Sequence, residues 1–425
     1  MLKILQTGDL HLGKIFYEHS LLEDQKYVLD QIIQELQSES DKNEPYNALL
    51  ITGDIYDRAI APSEAITLFD SFLVQVRATF PLLSICIISG NHDSAKRMSF
   101  ATSLLEAQNI YICTRAEDCT KPILLYPTQK TQQKAPLAAL YQLPFLNAGD
   151  FTALDGTVLH TQNDLVTEAV RKIKIAHKQL QKSSPELAKI PALLNAHLNS
   201  LPETASDISI GTAGFVNPSI FDFFKYVALG HIHKPLSPAK NACYAGSPIE
   251  TSFKNTGKNK PALQKHFLRI QIETSENLGS LFDQQDTVII IEIPIKPLHP
   301  VLRLESTFAD FENGTYKKLE QFGVSQADLA NAYLEITCTD TVLVENPLSR
   351  LQKHYPLTMA INQQALKNID FQQSFKQRRE LFEDSPDIEK IDNKKLFSAF
   401  IADIFPEEKE KDWEDAKKLF LEKIQ

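Results

Sequence analysis

Five short stretches of this chain end an apolar run on residues that could bind a metal: "GDLH" (Asp9, His11), "GDIYD" (Asp54, Asp57), "GNHD" (Asn91, His92, Asp93), "NAHL" (His197) and "GHIH" (His231, His233). Imidazole nitrogen with carboxylate and amide oxygen is the mixed donor set that suits Mn²⁺, Fe or Zn²⁺, and the lack of thiolate argues against a structural zinc site. Two cations about 3.5 to 4 Å apart repel each other and need a shared anion. Asp54 can be that bridge, which leaves three other ligands for each ion. Asp9 and His11 alternate along a segment expected to be extended, as do His231 and His233, so each pair should face one side. Gly8, Gly53, Gly90 and Gly230 stand beside the ligands, where tight turns and close backbone approach are needed. A lone "GNHD" is usually a plain turn, and a lone His197 a satisfied core histidine; five such stretches in one chain point to a dinuclear centre. His19, His160, His177, His266, His299 and His354 have no comparable context and receive no role.

The elements that must position these residues are legible as alternating strands and helices. "KILQTGD", "ALLITGD", "LLSICIISGNHD", "IPALLNAHL" and "FKYVALGHIH" are apolar runs that stop at polar residues. Between them, apolar residues from Leu21 to Leu36 recur at helical spacing. Ser63 is expected to cap a helix whose inner face carries Ile66, Phe69, Phe72, Leu73 and Val76. Thr161 to Lys182 reads as a helix with Leu165, Ala169, Ile173 and Leu180 on one side and Arg171, Lys172, Lys174 and Lys178 on the other. The pattern predicts an α/β protein with a largely buried sheet, and ligands of such sheets bind beyond the carboxyl ends of strands, where all five motifs fall. The composition shifts near Gln284, where "TVIIIEIPI", "PVLRLEST", "NAYLEITCT" and "LTMAIN" read as strands of a small α+β domain. The expected division is residues 1–283, 284–363 and a charged helical tail, 364–425. Apolar stripes in that tail (Leu396, Phe397, Phe400, Ile401, Ile404, Trp413, Ala416, Phe420, Leu421) need a surface to cover them.

Composition sets further bounds. The net charge of −10 argues against a protein coated with basic surface, so contact with nucleic acid would be local or carried by metal ions. Local lysines for this are Lys254, Lys258 and Lys260. No apolar stretch reaches the roughly 18 residues of a membrane span, and "MLKILQTGD" lacks the features of a signal peptide. Five scattered cysteines without CxxC spacing fit a reducing, cytoplasmic setting.

The five motifs in this order resemble the calcineurin-like metallophosphoesterase superfamily. "QTGDLHLGKIFYEHS", "DISIGTAGFVNPSIF" and "YVALGHIHKP" with "YAGSPIETSF" after it look like the branch of that superfamily that supplies nuclease subunits to DNA double-strand-break repair complexes. The resemblance is strong over roughly the first 275 residues and weaker beyond. It implies a metallophosphoesterase β-sandwich flanked by helices, then a capping domain and a helical tail that binds a coiled-coil ATPase subunit. It also implies a homodimer within a heterotetramer, acting in DNA repair, recombination and replication. Carried over by motif, Asp9, His11, Asp54 and His233 would hold one metal ion and Asp54, Asn91, His197 and His231 the other, both most often Mn²⁺. His92 would face the phosphate and serve the leaving oxygen, with Asp57 orienting its ring. The implied reaction is hydrolysis of DNA phosphodiesters: ATP-dependent exonuclease action on duplex ends and endonuclease action on single strands or hairpins.

The chain departs from the superfamily where Ala196 replaces the more frequent glycine before His197. "GDIYDR" is like the "GDxxDR" of protein phosphatases, but Ala59 follows Arg58 and "GNHD" stands for their "GNHE". Competing readings are a phosphomonoesterase or cyclic-nucleotide phosphodiesterase of the same superfamily, and a metal-dead scaffold that only binds partners.

Overall fold

The computed structural model of the chain describes residues 1–128, 135–153, 156–202, 214–257, 263–273, 287–314, 316, 325–367, 397, 401, 413 and 418–420. Strands form where the apolar runs lie. One six-stranded sheet has the order Val288–Pro294, His266–Ile272, Leu2–Thr7, Ala48–Ile51, Ser84–Ile88, Ile110–Cys113, and its last four strands run parallel. A second has the order Leu236–Ala239, Ala242–Tyr244, Tyr226–Gly230, Ala192–His197, Ala138–Leu143, Ile123–Leu125.

Successive side chains of a strand face opposite ways, and here both faces are apolar. Ile4, Leu50, Cys86 and Ile270 from the first sheet pack in one cluster with Leu140, Leu193, Tyr226 and Ala228 from the second. Their strand neighbours Leu5, Leu49, Ile51, Ile85 and Ile87 face outward onto Val28, Leu29, Ile32, Phe69, Phe72 and Val76 of helices Leu22–Asp41 and Ser63–Thr79. On the other side Tyr141, Leu194 and Val227 pack on Leu165, Ala169 and Ile173 of helix Gln162–Ser183. The result is the expected α/β sandwich with helices outside two facing sheets. All five cysteines are buried and unpaired.

Several local expectations fail. Pro62, not Ser63, precedes the second helix; Ser63 is its first residue, and its hydroxyl turns to Glu64. Ile66 lies on the exposed side of that helix, at 47%. Helix Gln162–Ser183 spends part of its basic face on its own unit: Arg171 pairs with Glu168, Lys172 lies over Phe151 and Lys174 over Phe223.

The chain divides into two compact units, Met1–Asn255 with Ala262–His299, and Thr256–Pro261 with Pro300–Gln425. Strand Val288–Pro294, which a boundary at 284 would give to the second unit, pairs antiparallel with His266–Ile272 along the edge of the first sheet. The second unit contains a parallel three-stranded sheet, Val301–Ser306, Tyr333–Cys338, Thr358–Gln363, around a core of Leu302, Phe311, Leu334, Ile336 and Leu351. Most of the proposed tail, together with Lys258, Lys260 and much of "DISIGTAGFVNPSIF", lies outside the described residues.

Candidate metal centre

All five motifs emerge at carboxyl ends of strands, three from the first sheet and two from the second. After Thr7 the backbone turns instead of staying extended. Asp9 and His11 adopt left-handed φ values of 51° and 46°, and Asp54 and His231 have φ of 49° and 107°. The alternation argument for these pairs therefore does not hold. Main-chain bonds hold the turns: Asp9 N–H donates to Gly53 O at 3.0 Å, and His11 N–H to Asp54 O at 3.0 Å. Non-glycine residues in this region cost free energy, and they cluster where surrounding contacts fix a functional geometry. Gly90 is obligatory in another way, because a Cβ there would fall on the Asp54 carboxylate and its amide nitrogen.

Two sets of donors converge. His11 Nε2 lies 3.0 Å from His233 Nε2 and 3.8 Å from Asp54 Oδ2, and Asp9, His11, Asp54 and His233 form one group of possible ligands. Asn91 Oδ1 lies 3.0 Å from His197 Nε2 and 2.9 Å from His231 Nδ1, while Asp54 Oδ2 is 3.5 Å from that same His197 nitrogen. Asp54 Oδ2 thus stands between the two sets. Hydrogen bonds fix the rings: His197 Nδ1 faces Thr52 O at 2.7 Å, so Nδ1 carries the proton and Nε2 offers its lone pair to the site. Phe145 stacks on His231 at 6.0 Å between ring centroids.

The electrostatics suit a cation. Burial pushes the Asp9 and Asp54 carboxyls up, and Asp54 adds to the effect on Asp9. Burial first, with neighbouring imidazoles adding to it, lowers His11 to about 2, His197 to about 3 and His231 to about 4. Neutral imidazoles and buried, uncompensated carboxylates are the states that metal binding requires and relieves. The seven residues fit a pair of divalent ions on donor chemistry and convergence alike.

His92 belongs to neither of these sets, although with His11 and Asp57 it forms a further group whose ligand-type atoms lie within 4.8 Å of one another. Its ring meets His11 edge-on at 4.9 Å, and its Nδ1 lies 2.9 Å from the main-chain oxygen of Asp57. The orienting group for His92 is thus the Asp57 carbonyl. The Asp57 carboxylate instead accepts from Lys14 Nζ at 2.6 Å and lies 3.7 Å from His11 Nδ1. Arg58 is largely exposed, with Nε 3.7 Å from Asp57 Oδ2. Sequence reasoning missed Lys14, Phe145 and Gln25, which accepts from Gly13 N–H and donates to His11 O. Only Lys14 left a visible signal, as a lone cation three residues after His11.

Fold and site together define a metallophosphoesterase. A family model described as calcineurin-like phosphoesterase matches residues 2–235, more than half of the chain, and the chain belongs to that family. Among curated proteins, the SbcD subunit of the SbcCD nuclease from Staphylococcus saprophyticus is 26% identical over 403 residues, covering 94% of this chain and 92% of the relative. Its counterpart from Staphylococcus epidermidis, also named as the SbcD subunit of the SbcCD nuclease, is 28% identical over 383 residues, covering 88% and 87%. Among solved structures, a Staphylococcus aureus protein titled as a 5′-nucleotidase aligns over 69% of this chain and 54% of that chain, with 10% identity and a TM-score of 0.36. No helix among the described residues is long and apolar enough to cross a membrane.

Proposed function

We propose that this chain is a two-metal DNA phosphodiesterase, the nuclease subunit of a complex with an SbcC-type coiled-coil ATPase that acts in DNA repair. The observation that carries the reading is the placement of Asp54 between two convergent ligand sets with His92 beside them, in a chain similar to the SbcD subunit of the SbcCD nuclease over about nine-tenths of its length. Asp9, His11, Asp54 and His233 would hold one ion, and Asp54, Asn91, His197 and His231 the other, with Mn²⁺ the metal that the resemblance implies. When bound, the pair supplies Lewis acidity and lowers the pKa of water.

The chain's own groups do the rest. The Asp57 carbonyl can only accept, so His92 Nδ1 carries a proton and Nε2 is the ring atom left to exchange one with the substrate's leaving oxygen. Thr52 O and Phe145 hold His197 and His231 in place. Duplex-end exonuclease and hairpin endonuclease activities, gating by ATP, a cytoplasmic location and a homodimer within a heterotetramer belong to the same reading. Exposed Ile60, Phe100 and Leu104 support an interface on the first unit. The resemblance implies a capping domain over residues 284–363, and the tail, 364–425, would bind the ATPase.

The test is a manganese-dependent assay on free and end-blocked linear DNA, with and without a co-purified ATPase and with nitrophenyl phosphate alongside. Cleavage of free-ended DNA in preference to the monoester is expected. Hydrolysis of the monoester alone would refute the nuclease reading.

A further inference from the structure

Asp93 has the side chain most suited to a metal among the three polar residues of "GNHD", yet its carboxylate is fully engaged elsewhere. Oδ2 accepts from Gly90 N–H at 2.9 Å and from Ile55 N–H at 3.1 Å, and Oδ1 accepts from Tyr56 N–H at 2.9 Å. In the opposite direction His92 N–H donates to Asp54 Oδ1 at 2.9 Å, and His92 Nδ1 to Asp57 O at 2.9 Å. The loop that carries the shared ligand Asp54 and the loop that carries Asn91 and His92 therefore exchange carboxylates, each accepting from the main chain of the other.

We infer that Asp93 is a positioning residue, the clasp that sets where Asn91 and His92 stand relative to Asp54. The inference rests on the two-metal reading of the site. Asp93 binds neither ion and acts through the loops. Both of its oxygens must accept. An asparagine of nearly the same shape would turn an NH₂ group either against Tyr56 N–H or against the N–H groups of Gly90 and Ile55. Either way at least one bond becomes a donor facing a donor, and the two loops lose their register. The half-site of Asn91, His197 and His231 would feel this directly. The half-site of Asp9, His11 and His233 is held by bonds that do not involve Asp93, from Asp9 N–H to Gly53 O and from His11 N–H to Asp54 O, each at 3.0 Å.

The experiment uses the full chain and the variants Asp93→Asn and Asp93→Ser, with Asn91→Ala as reference. Manganese binding is titrated, and hydrolysis of bis(4-nitrophenyl) phosphate is followed. Wild type is expected to bind two ions. Asp93→Asn should keep one at wild-type affinity and bind the second at least ~10-fold more weakly, reproducing the pattern of Asn91→Ala, with kcat down ~100-fold and KM changed by less than ~3-fold. Asp93→Ser carries the same expectation and serves if the asparagine variant does not fold. Wild-type affinity for both ions, or equal weakening of both with kcat unchanged, would overturn the inference. Because these readouts use manganese and a small diester, a wild type that leaves DNA uncut bears on the nuclease reading alone.

Discussion

The first sheet buries charge at both of its ends, and the two ends treat it in opposite ways. At the amino end of strand Leu2–Thr7, Lys3 Nζ contacts Glu39 at 2.5 Å and Glu44 at 2.9 Å, while Arg269 contacts Glu35 at 2.5 Å and Glu39 at 3.1 Å. Lys3 and Glu39 are each 2% exposed in their side chains, and with Lys42 Nζ 2.6 Å from Glu39 the cluster sets three cations against three carboxylates. At the carboxyl end Asp9 and Asp54 are as deeply buried, but among the described residues no lysine or arginine pairs with either. Buried charge costs several kcal/mol per ion unless it is compensated. The amino end supplies its compensation from the chain and is structural; the carboxyl end leaves it to come from outside, which is the mark of a binding site.

The contrast can be broken most forcefully at the shared ligand. Asp54→Ala should lose both ions and cleavage by at least ~10³-fold, as measured by manganese content and turnover, because its Oδ2 stands between the two candidate ligand sets. His92→Ala should keep two ions and lose ~10² to 10⁴-fold in kcat, the range for a general acid or base; full activity would remove His92 from the mechanism. Asp57→Asn should cost only about 10-fold, because the carbonyl that holds His92 survives while the tie to Lys14 is lost.

At the other end, Glu39→Gln should leave manganese binding intact and lower stability by about 3 kcal/mol at pH 7. That is the low edge for breaking a buried pair, since Lys3 keeps Glu44 and Arg269 keeps Glu35. Burial opposes the charged form of Glu39, but its bonds to Lys3 and Lys42 outweigh this and bring its pKa down to about 2. The unfolded value is about 4.3, so this stabilisation is complete above that pH and is lost as the pH falls toward 2. Denaturant midpoints of wild type and variant should therefore converge in acid; a constant gap would mean that the glutamate acts by packing alone.

Much of the candidate site is legible in the sequence because metal-type side chains at strand ends are short-range signals: residue type and a strand end suffice to bring Asp54, Asn91 and His197 to one place. What the pattern does not carry is backbone geometry. Asp9 and His11 read as extended because alternation is the default after a strand, whereas their left-handed turns are set by Gly53 and Asp54, more than forty residues away in the chain. Asp93 is opaque for a related reason: its partners are main-chain N–H groups, which nearly every residue possesses and no sequence displays. Val288–Pro294 reads equally well as the first strand of a new domain or the last of the old one, and only its pairing with His266–Ile272 decides between them.

The contact of His11 with His233 spans 222 positions of the chain. A polypeptide emerging from the ribosome carries three of the motifs by residue 93, yet it cannot complete either ligand set until the second sheet has been made and has closed over the first. Both ligand sets can thus close only once residue 233 has been made, while strands His266–Ile272 and Val288–Pro294 of the same unit are still to come, so the candidate metal site is a late product of the chain's growth.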